Sequence, residues 1–135
     1  MYRMAHVISF STTRFDLSKE TPNPINPIGG QSVLMWLGEE LAKAGYHSTE
    51  PEAEDWGWYM DVEGGGVSYL VGASGDPESP GPMVEWVVQV HRSRSIKEKV
   101  LGKGRIAADD LLVAAIERIV RADSTLEQVS VERDQ

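Results

Sequence analysis

The sequence predicts an α+β fold: a two-layer sandwich with a mainly antiparallel sheet of about five or six strands and two principal helices on one face. Two segments repeat apolar residues at helical spacing, and several others alternate apolar and polar residues. From Tyr46 to His91 the strand-like segments follow one another with only Gly- and Pro-rich turns between them, so sequence neighbours pair antiparallel. The predicted order is β-α-β-β-β-β-α-β. The 135 residues fall within the ordinary range for one unit, so residues 1–135 are read as a single domain.

Met4 to Thr12 reads as the first strand, with Met4, His6, Ile8 and Phe10 on one face and Ala5, Val7 and Ser9 on the other. Both faces are fairly apolar, which predicts an interior strand. Thr13 to Ile28 is a long connection, where Pro22, Pro24 and Pro27 forbid a helix. A helix follows from Gln31 or Ser32 to Ala44. Leu34, Leu37, Leu41 and Ala44 form its stripe, widened by Val33 and Trp36, and Glu39–Lys43 is an outer i,i+4 pair. Ser32 is the expected N-terminal cap, and Gly45 is placed to end the helix.

Tyr46 to Thr49 is a candidate short strand. Trp56, Trp58, Met60 and Val62 then alternate on one face against Gly57, Tyr59, Asp61 and Glu63 on the other. The turn Glu63-Gly64-Gly65-Gly66 leads into Val67, Tyr69, Val71 and Ala73, completing a hairpin. After a loop from Ser74 to Pro82, Met83 to His91 gives a further strand with Val84, Trp86, Val88 and Val90 inward. Ser95 and Glu98 have the spacing of a capping box, and Gly102 closes that short helix. A longer helix from Arg105 or Ile106 to Ala122 buries Leu112, Val113, Ile116, Ile119 and Val120, with Glu117–Arg121 outside. Leu126 to Arg133 is the last strand.

Composition removes several functional classes. The chain has no cysteine, which excludes disulfides, thiolate metal sites and cysteine nucleophiles. No signal peptide pattern occupies Met1–Val7 and no run is long enough to span a membrane, so a soluble cytoplasmic protein is expected. A net charge of −8 disfavours nucleic acid and anionic membranes as partners. The charge is blocky. Carboxylates crowd the stretch from Glu39 to His91, where Lys43 is the one Lys or Arg. By contrast, Arg92, Arg94, Lys97, Lys99, Lys103 and Arg105 meet a single acid, Glu98.

The densest constellation is Glu54-Asp55-Trp56-Gly57-Trp58. Its functional reading is a ligand site in which Trp56 and Trp58 form an aromatic platform beside Glu54 and Asp55. Its plain reading is two core tryptophans at the wet end of a strand, with the neighbouring acids satisfying an indole N–H. Gly102-Lys103-Gly104-Arg105 before a helix gives a candidate anion site at Lys103 and Arg105, or simply a basic turn; it matches neither phosphate-loop nor dinucleotide patterns. His6, His47 and His91 lack metal-ligand spacing, and acids at Asp109-Asp110 suit a helix start, so no metal is expected. No nucleophile motif, catalytic set or cofactor signature is present.

Asn26-Pro27, the helix ending near Gly45, the Glu-Asp-Trp-Gly-Trp segment and Gly72 resemble a group of small bacterial proteins of unknown function that share that segment. The resemblance covers most of the chain and implies a small bacterial domain without implying a mechanism. Two functional expectations follow. The first is a non-enzymatic binding or interaction module using a partly open second sheet face with Tyr59, Leu70 and Val87, its partner another protein or a second copy. The alternative is a small-molecule site or enzyme built on Glu54–Trp58.

Overall fold

Alternation along β1 (Ala5–Thr12) puts His6, Ile8, Phe10 and Thr12 on one side, all buried, as expected of a strand covered by helices. The computed structural model describes residues 5–79, 82–93 and 111–132. Within them the chain runs through α1 (Gln31–Lys43), β2 (His47–Ser48), β3 (Glu52–Glu54), β4 (Gly57–Gly64), β5 (Val67–Gly75), β6 (Val84–Ser93), α2 (Leu111–Ala122) and β7 (Glu127–Glu132). The expected capping box at Ser95–Glu98, the glycine pair Gly102/Gly104 and the start of the second long helix lie outside the described residues.

The strands form a seven-stranded antiparallel sheet in the order β2-β4-β5-β6-β1-β7, with β3 also pairing to β4. The sheet has more strands than the sequence predicts because β3, only three residues long, has too few positions to show alternation. β1 is interior, between β6 and β7. Since β6 and β7 both run antiparallel to β1, they are parallel to each other, and α2 lies in the crossover that joins them.

One face of this sheet makes the core. Trp58, Met60 and Val62 of β4, Tyr69, Val71 and Ala73 of β5, and Val84, Trp86, Val88 and Val90 of β6 are buried with the apolar stripes of both helices. Val33, Leu34, Leu37 and Leu41 supply the α1 stripe; Leu112, Val113, Ala115, Ile116 and Val120 supply that of α2. Each Val, Leu or Ile among them contributes about 1.5–3 kcal/mol by leaving water. Ile119 packs at the margin of the core, half-buried.

The helix ends show which local signals the chain uses. Gly45 takes the left-handed conformation (φ 93°), and the N–H groups of Gly45 and Tyr46 donate to the carbonyls of Ala42 and Leu41. That is a Schellman closure, as the glycine predicts. The start of α1 differs from expectation. Ser32 does not cap the helix; Gly30 occupies the cap position and Glu20, from the preceding loop, replaces a local cap. Its Oε1 accepts from the N–H of Gly30 at 3.1 Å and of Ser32 at 3.3 Å, and the Ser32 hydroxyl donates to its Oε2. A carboxylate at this helix end satisfies orphan donors and complements the dipole. The outer-face pair also shifts: Lys43 bonds Glu40 at 2.8 Å rather than Glu39. On α2, Glu117 and Arg121 pair at 2.9 Å as expected.

Candidate functional site

Asp55 and Trp56 form the two-residue turn between β3 and β4. Gly57 follows at φ 149°, and a Cβ there would lie 2.4 Å from the Ala73 carbonyl oxygen. Only glycine allows so close an approach of β4 to β5 at that point.

The proline-rich connection is fastened to this turn. The Asn23 side-chain amide donates to the carbonyls of Glu54 at 2.9 Å, Gly57 at 3.0 Å and Ile28 at 3.3 Å. Its Oδ1 accepts from the N–H groups of Ile25 and Asn26. Asn26 donates to the Asp55 carbonyl at 2.8 Å. Three prolines leave the loop few donors of its own, and two asparagines supply the cross-links. Glu54 and Asp55, singled out in the sequence for their carboxylates, therefore enter this clamp through their backbone carbonyls. The Glu54 carboxylate accepts the Asp55 N–H at 3.1 Å, and Asp55 is exposed.

The turn sends its two tryptophans to opposite faces, so the expected shared platform is not formed. Trp58 is a core residue, 5% exposed, and its Nε1 has no hydrogen-bond partner among the described residues. Neighbouring acids do not reach it. Trp56, 36% exposed, folds the other way and lies over Gly72, where a Cβ would stand 2.4 Å from its ring. The physical reason is the turn: alternation starts at Gly57, and Trp56 precedes it. An isolated glycine inside the strand pattern marks close approach by another group, and Gly72 is the signal that could have located Trp56. Asn23, Asn26 and Glu20 had no comparable signal.

The face on which Trp56 lies is the one opposite the helices. Register aligns Glu52, Tyr59, Gly72, Gln89, Val7 and Glu132 in one row across it. Asp61, Leu70 and His91 form the next row on one side; Ser74, Val87, Ser9 and Ser130 form the row on the other. Val7, Tyr59, Leu70 and Val87 are half-buried there, and no described helix covers them. Glu52, Glu54, Asp61, Glu63, Glu85 and Glu132 take positions on this face by the same alternation. The described Lys and Arg residues do not: Arg14 and Lys19 are in the connection, Lys43, Arg118 and Arg121 on helices, and Arg92 on the helix side of β6. The charge of Glu52, with burial and then Asp61 and Glu54, raises the Tyr59 phenol above its ordinary value.

The surface hollows lie elsewhere. A surface cavity of about 390 Å³ is lined by the connection, including Leu17, Glu20, Pro22, Asn23 and Ile28, with Pro77 opposite. A second, of about 330 Å³, lies between α1 and β2, and others of similar size sit near Tyr69 and near Arg14. Neither Glu54 nor Asp55 lines any of these four. Among the described residues no group of three or more His, Cys, Asp or Glu side chains is arranged to hold a metal ion, and no helix is long and apolar enough to cross a membrane. Lys103 and Arg105, the candidate anion site, lie outside the described residues.

No family model matches the chain, and no curated protein or solved structure shows significant similarity to it.

Proposed function

We propose that this chain is a non-enzymatic protein-interaction module that docks its partner on the sheet face opposite the helices. The observation that carries the reading is the placement of Trp56. Its indole is turned onto Gly72, beside Tyr59, Leu70 and Val87, and held there from a clamped turn. Aromatic side chains at the centre of an apolar surface with a polar rim are the usual anatomy of a docking surface. On this reading the Glu-Asp-Trp-Gly-Trp segment is a device that delivers one tryptophan to each face. Glu54 and Asp55 supply carbonyls to the clamp, Gly57 allows the close approach, and Trp58 anchors the core.

The alternative, a small-molecule or catalytic site at Glu54–Trp58, has less support. Trp58 is withdrawn into the core, and neither carboxylate lines a cavity described above.

Site-specific photo-crosslinking in cells tests the docking reading. A photoreactive residue replaces Tyr59 on the open face or Met35, which is 51% exposed on α1. The expected result is a discrete protein adduct from position 59 that Leu70→Glu and Val87→Glu abolish, with none from position 35. Equal labelling from both positions, or none from position 59, rejects the proposal.

A further inference from the structure

Resting on that docking reading, we infer that the partner is a basic protein surface, presenting arginine or lysine side chains to Trp56, Tyr59 and the carboxylates around them. Two features of the face point the same way. The first is charge. Glu52 and Asp61 flank Tyr59 through the β3–β4–β5 register, and Glu85 and Glu132 continue the same sign across β6 and β7, while the described Lys and Arg residues lie on the helix side or in the connection. A second copy docking face to face would bring carboxylates against carboxylates, so the surface is poorly made for self-association and well made for a cationic complement. The second is the kind of apolar group present. Trp56 and Tyr59 offer π faces, and a guanidinium stacks on an indole or phenol while its N–H groups reach adjacent carboxylates. This chain already makes one such arrangement: the Arg14 guanidinium sits 5.1 Å from the Trp36 ring centroid and pairs with Asp123. On the open face the indole and the acids are present and the cation has to come from outside the described residues.

The division of labour follows from magnitudes. Exposed charge pairs are individually weak and screened by salt, so the aromatic and aliphatic patch supplies the holding contact. The carboxylates select the sign of the partner and speed its arrival.

The test titrates the full ¹⁵N-labelled chain with three amidated peptides: alternating Arg-Ala, alternating Glu-Ala, and a neutral one of Gln and Leu. The arginine peptide is expected to shift the Trp56 indole N–H and the amides of Tyr59, Leu70 and Gln89, leaving α1 still. Its affinity should fall about tenfold between low and physiological salt, and about threefold in the Glu52→Gln/Asp61→Asn double variant. Those two residues are at the surface, so the variant keeps the fold; Trp56→Phe should retain binding and Trp56→Ala should weaken it.

Five outcomes overturn the inference. Binding of the arginine peptide on the helix side is the first. Preference of the face for the neutral peptide is the second, which leaves docking standing and removes the basic partner. Shifts at the face that grow with protein concentration alone assign it to a second copy. The same shifts on replacing Lys97, Lys99, Lys103 and Arg105 with serine, without peptide, assign it to the chain's own basic stretch. Failure of every peptide together with failed crosslinking at position 59 rejects docking itself.

Discussion

Asn23 donates its side-chain amide to the backbone carbonyl of Gly57 at 3.0 Å, joining the proline-rich connection to the first residue of β4. The same amide also serves Glu54 and Ile28, so one side chain ties three carbonyls of the loop and the turn together.

Replacing Asn23 with Asp keeps the acceptor that organises Ile25 and Asn26 but removes every donor to Glu54, Gly57 and Ile28. A loss of about 1–3 kcal/mol is expected, because the cross-links to three carbonyls in part-buried surroundings are lost. Urea unfolding gives the stability. Faster amide exchange at Trp56 and Gly57 than at Val71 would show that the turn, and not the core, has loosened.

Gly57 and Gly72 are both tightly approached, yet their alanine variants should behave differently. At Gly57 the obstacle is the Ala73 backbone carbonyl, and φ is 149°. Neither gives way, so Gly57→Ala should cost roughly 3 kcal/mol. At Gly72 the obstacle is the far edge of the partly exposed Trp56 ring. That ring swings outward, so Gly72→Ala should cost under about 1 kcal/mol. Its indole emission should shift to the red and its affinity for the arginine peptide should drop. Equal destabilisation by the two substitutions would refute this placement of Trp56.

Acid sensitivity should trace in part to Asp123. The Thr125 hydroxyl, then its N–H and the charge of Arg14, hold this carboxyl below its ordinary value of 3.8, with burial acting the other way. A depressed folded-state value means the stabilisation is complete above the unfolded value and is lost as pH falls through the folded one. Urea midpoints measured from about pH 5 down to pH 2 should fall less steeply in Asp123→Asn than in the parent chain. Thr125→Val should flatten the same slope.

Tyr59 reports the potential of the open face. Its phenol lies above the ordinary 10.0, chiefly through the charge of Glu52. Absorbance titration, with Tyr59→Phe as the difference reference, should show this transition later than in a free phenol. Glu52→Gln should bring it down, and Asp61→Asn should do so by less. The linkage runs opposite to that of Asp123. The protonated phenol is favoured in the folded chain, so its contribution is present below pH 10 and is lost as pH rises through the folded value.

How much of this was legible beforehand depends on the range of the interaction. Periodicity and glycine chemistry are local, and they located β1, α1 with its Gly45 closure, the Gly65-Gly66 hairpin and the α2 stripe. Gly65 and Gly66 both take positive φ, as a two-residue hairpin turn favours. The Asp55-Trp56 turn lacks that chemistry: neither residue has positive φ, so the pattern of alternate tryptophans ran through it uninterrupted. Glu20 capping α1, and Asn23 and Asn26 holding the turn, are contacts between distant residues with no repeat to announce them. For the same reason the carboxylates of Glu54 and Asp55 drew attention that belongs to their carbonyls.

The position of β1 sets the order in which the sheet is completed. Its ladder partners are β6 and β7, with Ala5 opposite His91 and Val7 opposite Glu132. Synthesis produces this strand before either neighbour exists, and closing so long a loop is entropically unfavourable until both are available. The β4–β5–β6 meander needs only short turns and forms on its own schedule. On topology alone, insertion of β1 is expected to come late, leaving Ile8 and Phe10 uncovered until β6 and β7 are in place.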